Sequence, residues 1–159
     1  DDLEYLNERH LAPSMAVLPL IKDEKTLILD MGSGAGFPGI PVGIMRENVD
    51  ITLMEATKKK VRFLEKAIKA LELNNVKSCW SRAEQFKEKK YDIVMARSVA
   101  PMRKLQKLAA PLLKEGGMLI TWKGSRFLEE MEKVKKSLFQ IEKVIEYDSP
   151  KKIVVLKKI

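Results

Sequence analysis

Thr26 to Pro41 reads TLILDMGSGAGFPGIP. Leu27, Ile28 and Leu29 form an apolar run that stops at an acid, Asp30. Gly32, Gly34, Gly36 and Gly39 follow, and an apolar stretch resumes from Ile40 to Met45. That order predicts a buried strand, a glycine turn and a helix. Glycine accepts positive φ and lets backbone approach a ligand closely. The unpaired N–H groups at the start of the new helix attract negative or electron-rich groups. A nucleoside-bearing cofactor lying across the glycines is the expected ligand. A tight strand-to-helix turn with no ligand is the plainer alternative.

The spacing fits two templates. Gly34, Gly36 and Gly39 match the dinucleotide fingerprint G-x-G-x-x-G. Asp30, Gly32, Gly34 and Gly36 match the D-x-G-x-G-x-G of S-adenosylmethionine (SAM) enzymes. Glu55 ends the next apolar run, 21 residues beyond Gly34, where either cofactor would have a ribose-binding acid. Asp30 favours SAM. A carboxylate at this turn repels a pyrophosphate, whereas SAM carries a sulfonium and an ammonium.

Working outward, DMGSGAGFPGIP is joined by TLMEATKKKVRFLEKAIKALEL, SRAEQF, YDIVMARSVAP and WKG. In this order, from Arg9-His10 to the closing KKIVVLKKI, the sequence resembles the bacterial small-subunit (16S) rRNA guanine-N7 methyltransferase G family, also called glucose-inhibited division protein B. The Gly-Phe-Pro-Gly-Ile-Pro continuation is far more specific than the glycines alone. The family carries additional N-terminal helices, and this sequence starts at Asp1 without an initiator Met. The resemblance also places His10 and Ser14 in a family H-x-x-D-S beside the active site. Here Pro13 stands in place of that Asp, which weakens any catalytic role for His10.

The totals agree with such a protein. A chain of 159 residues fits one domain with a real core. Net charge is +8, from 30 Lys and Arg against 22 Asp and Glu, which favours a polyanionic partner. One cysteine, Cys79, excludes an internal disulfide and is compatible with a reducing compartment. The acidic start shows no signal peptide, and Pro13 and Pro19 break the Leu11–Ile21 apolar stretch well short of spanning length. The expectation is a cytoplasmic monomer with no membrane partner, acting on small-subunit ribosomal RNA or the 30S particle.

Along the chain, residues 2–11 read as a helix that Pro13 ends or kinks. Strands are expected at 26–31, 50–55, 76–81, 91–96, 117–122, 140–147 and 152–158. Helices are expected at 38–47, 58–73, 84–88, 102–114 and 126–138. Alternation of this kind implies right-handed crossovers and a mostly parallel sheet. Ser149-Pro150 separates the last two runs without a helix, so they form a hairpin and the final strand enters antiparallel. The fold class is therefore α/β: a SAM-dependent methyltransferase (Rossmann-like) fold whose seven-stranded, mostly parallel sheet has an antiparallel last strand. Residues 1–159 form a single domain, with a short N-terminal helical segment at 1–24 and the α/β core at 25–159. Val61, Leu64, Ile68 and Leu71 make the apolar stripe of the helix at 58–73, and its basic start flanks Glu55.

Candidate cofactor contacts are Asp30, Gly32, Ser33, Gly34, Gly36, Phe37 and Pro38 in the turn, then Glu55, Ala56 and Thr57. Ala83 and Glu84 border the adenine in this fold, and Arg97 stands at the end of the fourth strand. Lys58, Lys59, Arg62 and Lys123 are candidate RNA contacts. Methylation of guanine N7 needs no general base, because N7 has a free lone pair and no proton. Catalysis then rests on orientation and electrostatics. Lys123 and Arg97 are the candidate donors to guanine O6 and to phosphates, and Arg97 is equally a candidate clamp on the methionine end of SAM. No cluster of metal ligands is visible, and the chemistry asks for none. The competing readings are a non-catalytic rRNA-binding or assembly protein, an NAD(P)-dependent oxidoreductase, and a small-molecule methyltransferase that the charge disfavours. The Tyr147-x-x-x-Lys151 spacing belongs to the oxidoreductase reading, and Pro150 interrupts it.

Overall fold

In a computed structural model, which describes residues 2–159, the apolar runs become seven strands. They are β1 (Leu27–Met31), β2 (Asp50–Glu55), β3 (Val76–Trp80), β4 (Tyr91–Ala96), β5 (Leu113–Lys123), β6 (Phe139–Asp148) and β7 (Lys151–Lys158). They form one sheet in the order β3-β2-β1-β4-β5-β7-β6. The pairs from β3 to β5 are parallel, and β7 runs antiparallel to both β5 and β6. Strand order reverses between β1 and β4. That switch point opens a crevice at the carboxyl ends of the strands, where Asp30 and Ala96 lie.

Both faces of the sheet are covered, which is why β1 and β4 read as continuous apolar runs. Successive residues alternate between two cores. Ile28, Ile93, Met95 and Ile120 pack on one side with Val42 and Leu64. Leu29, Val94, Ala96 and Leu119 pack on the other with Met102 and Leu105. The first side is covered by α3 (Gly39–Met45) and α4 (Lys58–Ala70), the second by α5 (Met102–Ala109).

Helix lengths depart from expectation at specific residues. The predicted helix at 84–88 is a single turn, in which Gln85 and Phe86 N–H bond the Arg82 carbonyl. Only Phe86 is buried there, so no apolar stripe carries a helix onward. The helix expected to reach 114 stops at Ala109 and tightens into a 3-10 turn at Ala110–Leu112 around Pro111. Its remaining residues join β5. The helix expected at 126–138 is only α6, Phe127–Met131. Beyond it the buried Gln106 side chain bonds the Lys133 carbonyl and the Lys135 N–H, each at 2.7 Å. Those are the backbone groups a longer helix would have paired. The helix expected at 58–73 ends at Ala70, and Leu71 is 49% exposed instead of completing the stripe.

The N-terminal segment is also different. Pro13 does not end the helix. Helical backbone runs from α1 (Asp2–Leu6) through a π-helical turn (Asn7–Leu11) into α2 (Ala12–Met15). Proline lacks the N–H that would bond four residues back and crowds that carbonyl. The wider turn accommodates it, with the Ala12 N–H reaching the Asn7 carbonyl. The segment docks on the sheet through the Trp122 indole, which donates to the Pro13 carbonyl at 2.9 Å.

Candidate functional site

The glycine turn leaves β1 and folds back on the neighbouring strand. Gly32 and Ser33 N–H both bond the Met54 carbonyl of β2. Gly32, Gly34 and Gly36 have φ of +74°, +59° and +95°, the region L side chains avoid. At Gly34 an added Cβ would meet no atom within 4 Å. The turn thus has an open face there, free for a ligand.

Glu55 closes the turn from the end of β2. One carboxylate oxygen accepts the Gly34 N–H at 3.1 Å and the other the Thr57 N–H at 2.9 Å. Each oxygen keeps a lone pair, which suits the two hydroxyls of a ribose. Asp30 has a different placement. It is 1% exposed, and its Oδ2 accepts the Gly39 N–H at 2.9 Å. It pins the start of α3. A Cβ at Gly39 would lie 2.7 Å from that same oxygen, which explains the glycine. Ser33 Oγ donates to the Asp30 carbonyl at 2.8 Å.

Burial pushes the Asp30 carboxyl up to about 7, against the lowering effects of the Gly39 and Ser33 hydrogen bonds and of Arg97. A carboxyl whose folded pKa lies above its unfolded value binds more protons when folded. Stability therefore falls as pH rises from about 4 to about 7, and the loss is complete above that window. The magnitude is up to roughly 4 kcal/mol. Asp30→Asn keeps an acceptor for Gly39 and should flatten this slope in urea unfolding measured from pH 4 to 8. The same downward slope in the variant would assign it to other groups.

On the far side of the crevice, Arg97 follows β4 and is half-buried. Its guanidinium donates to the Arg9 carbonyl at 3.2 Å and contacts His10 Nδ1 at 2.8 Å. A guanidinium only donates, so His10 Nδ1 is an acceptor and its ring is neutral. Burial and the charges of Arg97 and Arg9 hold the His10 pKa below its ordinary value. The His10 ring lies 5.1 Å from that of Phe37, and the Arg97 guanidinium 6.0 Å from Phe37. His10 is thus tied to positioning Arg97 and the N-terminal helix.

Lys123, at the end of β5, is 8% exposed. Its ammonium pairs with Glu130 of α6 at 2.7 Å, and the same Glu130 oxygen accepts the Met102 N–H at 3.0 Å. Burial would raise Glu130, but the Lys123 and Met102 hydrogen bonds outweigh it and hold the carboxyl low. One ammonium proton serves this pair, and two remain for a ligand. Lys123 and Arg97 line one cavity of about 510 Å³ with Tyr5, Arg9, His10 and Tyr147. Tyr147 and Lys151 are set on either side of the β6–β7 turn, and Lys151 is bonded to Asp148.

Ala83 and Glu84 occupy the turn after β3, Ala83 half-buried and Glu84 exposed. Ala56, Thr57, Lys58, Lys59 and Arg62 are all exposed beside Glu55, and Pro38 is buried just before the start of α3. Trp80 was not singled out from sequence. It ends β3, is 60% exposed, donates its indole N–H to the Ala56 carbonyl at 3.0 Å and has Lys58 Nζ 5.0 Å from its ring. A tryptophan near the end of the expected strand at 76–81 is its only sequence signal. Glu130 had none, because its partner is set by the fold of α6.

A sheet with this order, a reversed β7 and a glycine turn at the β1/β4 switch point places the chain in the class of SAM-dependent methyltransferase folds. The SAM dependent methyltransferase from Aquifex aeolicus shares it, with a TM-score of 0.72 over 92% of this chain and 89% of that one at 16% identity. Within that class, residues 1–155 match the GidB family, described as rRNA small subunit methyltransferase G. The chain belongs to this family. It is 35% identical to the Ribosomal RNA small subunit methyltransferase G of Acetivibrio thermocellus, over 99% of this chain and 71% of that relative. It is 38% identical to the protein of the same name in Desulfitobacterium hafniense, over 82% of this chain and 56% of that one. The chain thus spans 56% and 71% of the length of these two relatives in the aligned regions.

Proposed function

We propose that this chain transfers the methyl group of SAM to N7 of a guanine in small-subunit ribosomal RNA. The observation that carries the reading is the glycine turn closed on Glu55, with an open face at Gly34, beside a cavity lined by Arg97 and Lys123. The family name of the relatives supports the RNA substrate.

The residues present fit the cofactor. Glu55 would hold the ribose, Gly34 would allow close approach, and Trp80 with Ala83 and Glu84 would flank the adenine. When bound, SAM supplies an electrophilic methyl on a sulfonium. The chain's own residues then orient the two partners. Arg97 and Lys123 donate to O6 and to phosphate oxygens, leaving N7 free to attack. No side chain has to remove a proton, which agrees with a His10 committed to Arg97. Orientation and fixed donors are sufficient for a displacement of this kind. No helix among the described residues is long and apolar enough to cross a membrane. A half-buried Cys79 thiol suits a reducing cytoplasm.

Incubation with methyl-labelled SAM and small-subunit rRNA tests the reading, and label in the RNA is the expected outcome. Binding of NAD in preference to SAM, measured by calorimetry, would overturn it.

Lys58, Lys59 and Arg62 are exposed beside the crevice and supply phosphate contacts. Replacing all three with alanine should weaken rRNA binding and make the log K versus log salt slope shallower by up to about 3 units. SAM affinity should barely change. An unaltered slope would make this rim an ordinary solvated helix face.

A further inference from the structure

The β6–β7 hairpin carries a feature that the cofactor crevice does not use. Pairing between β6 and β7 shifts register between Glu146 and Asp148. Tyr147 falls in that irregularity, and bulges commonly re-aim a side chain next to a site. The turn lies at the carboxyl end of the sheet, because Lys152 of β7 pairs with Lys123 of β5. Tyr147 is half-buried, lines the same 510 Å³ cavity as Arg97 and Lys123, and sits close enough to Arg97 for the two to influence each other's ionisation. The N-terminal helix contributes Tyr5 and Arg9 to the cavity, with the Arg9 guanidinium over the Tyr5 ring at 4.9 Å. The volume lies within the roughly 300–1,000 Å³ usual for small-ligand sites.

We propose that Tyr147 is a substrate-positioning residue whose ring packs against the purine entering this cavity. The inference rests on the guanine-methylating reading above and adds the residue that discriminates the base as it becomes charged. Attack by N7 forms a carbon–nitrogen bond as the methyl–sulfur bond breaks, and the purine takes on the positive charge that leaves the sulfonium. An aromatic ring attracts a cation more than a neutral partner. The contact therefore strengthens toward the transition state, where an interaction accelerates the step.

The test compares Tyr147→Phe, which keeps the ring, with Tyr147→Leu, which keeps apolar bulk and loses the π face. SAM affinity by calorimetry monitors the fold of each variant. The leucine variant should lose roughly five- to a hundredfold in kcat/KM for rRNA, the range set by one aromatic–base contact, with kcat itself reduced. The phenylalanine variant should stay within about threefold of wild type in both. A second arm needs no methyl transfer. Titrated by NMR, the wild-type protein should bind 7-methylguanosine 5′-monophosphate more tightly than guanosine 5′-monophosphate, and the leucine variant should lose that preference. Active wild type with an equally active leucine variant overturns the role of Tyr147 and leaves the activity standing. A wild type that fails to methylate RNA but shows the Tyr147-dependent preference overturns the activity and leaves the aromatic site standing. No preference in the wild type overturns the Tyr147 proposal whatever the activity.

Discussion

Replacing Gly34 with valine is expected to abolish SAM binding, lowering affinity by more than about a hundredfold. Gly34 holds φ at +59° and offers its N–H to Glu55 at 3.1 Å. A β-branched residue is strained in this region, at roughly 1–3 kcal/mol. Its side chain would also fill the open face where no protein atom lies within 4 Å of an added Cβ. The protein has room for the added Cβ, so the fold should survive at the cost of that strain while the ligand is displaced. Glu55→Ala should act at the same place with a smaller effect. Losing charge-assisted bonds to ribose hydroxyls costs about 1–3 kcal/mol, or roughly five- to 150-fold in Kd. Calorimetric titration with SAM reads both variants. Wild-type affinity in both would remove the glycine turn from the cofactor site.

Arg97→Ala should have the second large effect, a fall in methyl transfer of roughly a hundred- to a thousandfold, the scale of removing a preorganised donor. Arg97 links the end of β4 to the N-terminal helix through the Arg9 carbonyl and the His10 ring. The variant should also speed amide hydrogen exchange across residues 2–15. Arg97→Lys separates the two roles. It keeps a positive charge, but an ammonium lacks the planar fork that engages a carbonyl and an imidazole together. It should restore part of the rate and little of the exchange protection. Faster exchange with kcat within about threefold of wild type in the alanine variant would show that Arg97 only anchors the helix.

Much of this was legible in sequence because the signals are local. The run into Asp30 and the glycines after it define β1, the turn and the start of α3 without outside help. The reversed β7 was visible because Ser149-Pro150 leaves no room for a helix. What was not legible depends on partners distant in sequence. Gln106 supplies the bonds that stop the segment after α6 from being helical, and nothing near residue 133 announces that. The π-helical turn at Asn7–Leu11 is stabilised by Arg97, 88 residues away from Arg9. Sequence treats Asp30 as an acid facing the ligand, and nothing near it in sequence announces that its Oδ2 also accepts the Gly39 N–H. Lys123 stands out in sequence by its place at a strand end, but its pairing with Glu130 depends on where α6 lands.

Locating the methyl group tests guanine-N7 transfer by this chain. The protein is incubated with methyl-labelled SAM and small-subunit rRNA from a strain lacking the corresponding gene. The RNA is then treated with borohydride and aniline, which cleave the chain at N7-methylated guanine, and the break is mapped by primer extension. One new break at a single guanine, dependent on SAM and absent with the Gly34→Val variant, is the expected result. Label in the RNA without a break, or no label in the RNA at all, would contradict guanine-N7 transfer by this chain.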